Sequence, residues 1–418
     1  MSEANPDRGP RPGRGMPVSE TETVTGSGLS FDEFIELEHK YVMQTGKHQP
    51  VRMARGEGMY LYDVSGRPYL DLMAGIAVNA LGHCHPAIVD AIREQAGVLI
   101  HSSDLYYSEP RVLLAKRLVE LAFPARVFFN NSGAEANEAA IKIARKWGKK
   151  HKDGAFEVIT AFGSFHGRTL AAVTAGGQAK YSKWFEPLPP GFIHVPFNDL
   201  DAIKAVTNER TCAVMLEPVI GEGGVRVAAP GYLEGVRAWC DESHVLLILD
   251  EVQTGLGRTG RWFAHQHAGI TPDVMTLAKA LGGGVPIGAV LAAPKADVFE
   301  PGDHGSTFGG NPIACTVAMT VLDVIEKQRL VEHAAEMGGL LGQALEELDQ
   351  KEPRGIGLMR AFSFEEPVAK PFQQRALEAG LLVNATDDHT IRMVPPLIIQ
   401  SEHVEEGHDL LHQALAGG

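Results

Sequence analysis

Nowhere in the 418-residue chain does an apolar run reach the roughly 20 residues that a membrane-spanning helix needs. An integral membrane protein is therefore not expected. Positive charge is also short: 38 Lys and Arg against 52 Asp and Glu leave −14 at pH 7 with the histidines neutral. Neither nucleic acid nor an anionic membrane is the expected partner of such a chain. Cysteine is scarcer still. Cys84, Cys212, Cys240 and Cys315 lie far apart and form no C-x-x-C pair, which reads as reduced thiols of a cytoplasmic protein rather than disulfides or a zinc site. His83-Cys84-His85 is a metal-like run, but adjacent side chains converge poorly on one ion, and Gly82 and Pro86 flank it as a turn. No metal site is expected there or at His265 and His267. Residues 1–29 lack large apolar side chains almost entirely and carry no signal-peptide core; they read as a disordered tail.

What remains is ordinary in composition, 44% hydrophobic and 22% charged, as in soluble globular enzymes. The length exceeds what one domain commonly holds. Spacing predicts a helix over 30–47, with Phe31, Phe34, Ile35, Leu37 and Tyr41 available for one face, and then an antiparallel hairpin over 57–71 turning at Ser65-Gly66. From His85 the pattern becomes helices at 86–98 and 109–121 and a strand at 127–129, followed by a helix to about Trp147. Apolar strands come next at 156–161, 212–216 and 245–249. Strands alternating with helices imply α/β architecture, a mainly parallel sheet covered on both faces. Long helices follow at about 313–327 and 331–350, then a smaller α+β tail. The expected organisation is a large domain over 85–312 and a small one built from both chain ends, 30–84 and 313–418.

Chemistry concentrates between Val245 and Gly288. The apolar run Val245–Leu249 ends on Asp250 and Glu251, at the carboxyl edge where open α/β sheets bind ligands. Further on, Lys279 stands between apolar residues and Gly282-Gly283-Gly284. A lysine in dry surroundings has a depressed pKa, so its neutral amine can attack a carbonyl. A buried aspartate for a protonated ring nitrogen, paired with a Schiff-base lysine, is what pyridoxal phosphate chemistry requires. Upstream, N-S-G-A-E-A-N (131–137) joins a strand to a helix start, where Ser132, Gly133 and Ala134 offer a hydroxyl, close backbone approach and free N–H groups to an anion. In F-H-G-R (165–168), Phe165 can stack on a planar ring and Arg168 can clamp a carboxylate.

Together D-E-V-Q-T-G-L-G-R-T-G (250–260) and P-D-V-M-T-L-A-K-A-L-G-G-G-V-P-I-G (272–288) resemble the cofactor signature of the class III (subgroup II) pyridoxal-phosphate-dependent aminotransferases. The resemblance runs over about residues 31–418 and implies a fold-type I transferase acting as a homodimer. It implies Asp250 at the pyridine nitrogen, Gln253 near the phenolic oxygen, Lys279 as the Schiff-base lysine, Ser132, Gly133 and Ala134 at the phosphate, and Phe165 over the ring. G-S-T-F-G-G-N-P (305–312) is similar to the loop that reaches the neighbouring subunit's cofactor phosphate, through Thr307. Arg168 is implied as a substrate-carboxylate ligand. Glu222, in L-E-P-V-I-G-E-G-G-V, and Arg392, in T-I-R-M-V-P-P, match a glutamate–arginine pair that opens for one substrate and closes for another. Ile220 stands where the family usually has glutamine, and Ser363 where an acidic residue is common. The segments A-G-I-A-V-N-A-L-G-H-C-H-P, G-G-Q-A-K-Y and H-V-P-F-N-D-L read like the acetylornithine branch, which implies transfer of the terminal amino group of N-acetylornithine to 2-oxoglutarate. The alternatives are another ω-aminotransferase, acting on ornithine, a succinylated diamine, 4-aminobutyrate or a carrier-linked lysine precursor, or an aminomutase. A non-catalytic regulator would need a DNA-binding domain, and the short N-terminal tail offers none.

Overall fold

The structure, a computed structural model, describes residues 28–348 and 351–417. The expected tail therefore lies outside the described residues except for Gly28 and Leu29. The first helix, Phe31–Tyr41, opens on a capping box between Ser30 and Glu33. It is shorter than its spacing predicts. Val42 turns extended, and the Gln44 side chain donates to the Glu38 and Val42 carbonyls, closing the helix end. The predicted hairpin forms between Tyr60–Asp63 and Pro68–Asp71.

Seven strands build the central sheet: β1 (Arg126–Asn130), β2 (Glu157–Ala161), β3 (Phe192–Val195), β4 (Thr211–Leu216), β5 (Leu246–Asp250), β6 (Val274–Leu277) and β7 (Gly288–Ala292), in the order β1-β7-β6-β5-β4-β2-β3. The run β6-β5-β4-β2-β3 is parallel, while β7 is antiparallel to both β6 and β1. The sheet is thus mixed at one side. β3, β6 and β7, which apolar runs in the sequence had not marked out, complete it.

Alternation along β5 explains why the sheet is covered twice. Leu246 and Ile248 pack with Ala140, Ile143 and Ala144 of helix α1 (Gly133–His151), whereas Leu247 and Leu249 pack with Leu233, Val236 and Cys240 of the helix 232–242. Each such fully buried Leu or Ile contributes about 1.5–3 kcal/mol. Helix α1 follows β1 directly, so its first turn stands at the carboxyl edge beside Asp250.

The chain ends meet beyond this sheet. Leu381-Leu382 pairs in parallel with Pro68–Asp71, adding a C-terminal strand to the N-terminal sheet. A second, antiparallel sheet contains 351–356, 359–363, 390–393 and 384–385. Helix 312–327 carries the core across to these parts through Val317, Val321 and Leu322. Among the described residues no helix is long and apolar enough to cross a membrane.

Candidate active site

A cavity of about 450 Å³ opens at the carboxyl edge, lined among others by Ser132, Gly133, Ala134, Phe165, Arg168, Glu222, Asp250, Gln253 and Lys279. Every predicted site residue is there except Thr307 and Arg392. Arg392 stands directly behind Glu222. Thr307 is exposed on the 305–311 loop and lies outside its own chain's cavity.

The anion end is built by the β1–α1 junction. Ser132 is the N-cap of α1, accepting from the Glu135 N–H at 3.2 Å. Gly133 and Ala134, one residue further in, have no acceptor within the helix. Two glycines let other segments close on this turn. A Cβ on Gly288 would stand 2.5 Å from the Ser132 carbonyl oxygen, and one on Gly167 would stand 2.6 Å from Ala134 Cβ.

Asp250 sits 3% exposed at the last rung of β5, opposite Thr276 of β6. Its Oδ2 accepts from Asn137 Nδ2 at 2.7 Å and faces His166 Nδ1 at 2.8 Å; its Oδ1 accepts from the Val252 N–H at 3.0 Å. Thr276 donates to Asn137 Oδ1 at 2.8 Å, which orients that amide with its NH₂ toward the carboxylate. His166 is fully buried. Burial lowers its pKa, but the Asp250 contact outweighs that and holds it above its usual value. Glu217, accepting from the Phe165 and Gly221 N–H groups, is pushed up to about 7 by burial, drawn down by His166 and raised again by Asp250. Asn137, His166, Thr276 and Glu217 were given no role by the sequence reading. All four stand inside quoted motifs, but nothing in their spacing signals a network around Asp250.

Lys279 begins the short turn after β6 with a left-handed backbone, φ +43°, a conformation that costs a non-glycine residue free energy and occurs where surrounding structure enforces it. The amine's pKa is lowered to about 8, chiefly by burial and in part by Arg392, with Glu222, Glu217 and Asp250 opposing the shift. Arg168 rests on the Tyr181 ring, 3.9 Å from its centroid, and pairs with no carboxylate among the described residues. Arg392 is fully buried and donates from Nη1 to Glu222 Oε1 at 2.7 Å. Burial raises the Glu222 pKa, but Arg392 and Lys279 outweigh it and hold the carboxylate below its ordinary value.

Other predicted motifs serve structure. His83 faces the buried Asp71 at 2.7 Å, and His85 caps the helix 86–96. His265 joins its own N–H and that of Ala264 in surrounding the buried Glu251. Ile220 is buried against the β4–β5 core. Ser363 accepts from Arg354 Nη1 at 2.9 Å.

Residues 41–415 match the family model for class-III aminotransferases. The acetylornithine aminotransferase of Caldanaerobacter subterraneus is 48% identical over 91% of this chain and 99% of its own length. That of Methanocaldococcus jannaschii is 49% identical over 90% and 96%. Among solved structures, the Toxoplasma gondii ornithine aminotransferase matches with a TM-score of 0.88 at 35% identity, covering 93% of this chain and 96% of that one. The acetylornithine aminotransferase from Elizabethkingia anophelis gives 0.82 at 36% identity, covering 93% and 99%.

Proposed function

The chain belongs to the class-III aminotransferases, and from that premise we propose that it moves the terminal amino group of N-acetylornithine to 2-oxoglutarate, yielding N-acetylglutamate 5-semialdehyde and glutamate. The family's cofactor is pyridoxal phosphate, and the cavity suits it. Free N–H groups at the start of α1 fit a phosphate, the buried Asp250 fits a protonated ring nitrogen, and Lys279 offers an amine with a lowered pKa. When bound, the cofactor supplies an aldehyde for an amine to capture and a ring that accepts electrons from a substrate C–H bond.

The protein's own part follows from the site. With the cofactor bound, Lys279 Nζ would be the base that takes a proton from the amine-bearing carbon of the substrate and holds it for return on the cofactor side of the nitrogen. Asp250 keeps the ring nitrogen protonated, backed by Asn137 and His166. Gln253 would border the cofactor's phenolic oxygen, and Phe165 would cover its ring face. Arg168 holds the α-carboxylate of acetylornithine, whose reacting amine is at the far end.

The observation that carries this reading is two arginines, Arg168 lining the cavity and paired with no carboxylate among the described residues, and Arg392 behind the cavity wall, masked by Glu222. Glutamate reacts at its α-carbon, so its α-carboxylate must be gripped close to the reaction centre, where a bare Arg392 would mis-hold acetylornithine. Losing one partner of a desolvated carboxylate–arginine contact costs about 2–5 kcal/mol. An amine-donor panel with 2-oxoglutarate, scored by kcat/KM, should rank acetylornithine first. In single turnovers Arg392→Ala should slow the glutamate half-reaction far more than the acetylornithine one, and Arg168→Ala should harm both. Ornithine as the preferred donor, or equal losses for Arg392→Ala, would reject the assignment.

The same reading makes the enzyme a homodimer in which Thr307 completes the phosphate site of the partner. Val98, Leu105 and Tyr107 are 80%, 84% and 102% exposed on a single chain, all within the segment 98–107, and large exposed apolar side chains of this kind suit an interface. Phe308, next to Thr307, reaches His101 of that segment with ring centroids 5.5 Å apart. Dilution through the dimer dissociation constant should release cofactor and activity together. A fully loaded, active monomer in sedimentation would overturn this.

A further inference from the structure

Arg392 has an anchor that a two-residue switch does not explain. Besides Glu222, its Nη1 donates to Gln253 Oε1 at 3.3 Å, and its Nη2 donates to Asn384 Oδ1 at 2.6 Å. Asn384 and Arg392 are cross-strand partners in the antiparallel pair 384–385 and 390–393, so sheet register sets their separation. Glu222 comes from elsewhere in the chain, on the glycine-rich loop 221–225, and its side chain keeps 22% exposure where that of Arg392 has none. The loop's backbone is tied at both ends. The Gly221 N–H donates to Glu217 Oε2 at 3.1 Å, and Arg354 Nε donates to the Gly224 carbonyl at 2.8 Å. The part with room to turn is the Glu222 side chain.

We propose that Asn384 is a positioning residue that keeps the Arg392 guanidinium in place while Glu222 swings away, so that the switch has one moving carboxylate and one stationary arginine. This rests on the reading of Arg392 as the ligand of the dicarboxylate substrate. A guanidinium carries five N–H donors. Asn384 occupies one on Nη2, and departure of Glu222 frees one on Nη1. A carboxylate can then grip both terminal nitrogens. Neutrality is the point of an amide here. It fixes the cation without cancelling its charge, so Glu222 neutralises Arg392 in the closed state and the substrate does so in the open one. An aspartate at 384 would hold the same nitrogen but leave Arg392 neutralised in both states.

The test uses the cofactor-loaded enzyme and glutarate, a dicarboxylate with no amino or oxo group to react, titrated by calorimetry. Single turnovers of each half-reaction accompany it. Asn384→Ala removes the anchor and Asn384→Asp keeps it while cancelling the charge. Both should weaken glutarate binding about tenfold or more and raise KM for glutamate alike with little change in kcat. The acetylornithine half-reaction, in which Glu222 still holds Arg392, should stay within about twofold of the parent. If Asn384→Ala does not fold, Asn384→Asp, which preserves size and acceptor, carries the test. Unchanged glutarate affinity in the folded Asn384 variants, with loss in Arg392→Ala, would overturn the role of Asn384 alone. Unchanged affinity in Arg392→Ala would overturn the underlying arginine assignment. Equal damage to both half-reactions would mark Asn384 as merely structural and overturn the proposal.

Discussion

Lys279→Ala should lower amino transfer by at least about 10³-fold while the protein stays folded and still holds pyridoxal phosphate. Two functions leave with the amine. The first is covalent capture of the cofactor's aldehyde, for which burial has already brought the pKa down to about 8. At neutral pH a useful fraction of the amine is then unprotonated, where a solvated lysine would have almost none. The second is proton transfer at the substrate carbon, which alone supplies about 10²–10⁴-fold. Retention is expected because the first turn of α1 and Asp250 act on other atoms of the cofactor. Lys279→Arg makes a sharper control, since it keeps the positive charge near Glu222 but cannot release a neutral amine. Single-turnover spectra after gel filtration would read transfer and retention together. Turnover within tenfold of the parent in either variant would remove Lys279 from the mechanism.

Asp250→Asn should cost roughly 10²–10³-fold in both half-reactions, with a measurable loss of stability. Three donors converge on this carboxylate, from Asn137, His166 and Val252. An amide of the same shape supplies one acceptor oxygen and turns an NH₂ toward a neighbour that also donates. It removes the charge that holds His166 above its usual pKa and the charge that keeps a bound pyridine nitrogen protonated. Breaking one side of a buried ionic contact commonly costs about 3–5 kcal/mol. The pH dependence has a definite sign. His166 has a raised folded-state pKa, so the stability it contributes is complete below its unfolded value, near 6.5, and fades as pH rises through the folded one. Asp250→Asn should flatten that part of the melting-temperature profile. An unchanged profile with parent-like turnover would show that the Asp250–His166 contact is idle.

Much of the site was legible because its parts are local in the chain. A buried strand ending in Asp250 and a lysine set in apolar and glycine neighbours are readable from residue types over short windows, and so is a Ser-Gly turn before a helix. The same holds for helix 109–121, whose bounds agree with its spacing. Other features were not legible for identifiable reasons. β6 is short and lies inside the lysine motif, and β7 starts at its last residue, so their apolar residues merged with it. Helix 31–41 ends early where Val42 turns extended and Gln44 donates to the Glu38 and Val42 carbonyls, which periodicity does not register.

The chain by itself determined the α/β class and, through local pattern and motifs that resemble a known family, pointed to the cofactor chemistry and to the residues from Ser132 to Lys279 proposed to carry it, since these depend on short windows of sequence. Tertiary structure decided what surrounds those residues. That Thr276 orients Asn137 toward Asp250 depends on β5 and β6 being neighbours. That Arg392 is held by Asn384 as well as Glu222 depends on the register of one antiparallel pair and the placement of a distant loop. Hydrogen bonds act over about 3 Å, whereas the partners lie up to 170 positions apart in sequence. Only packing brings such residues within reach.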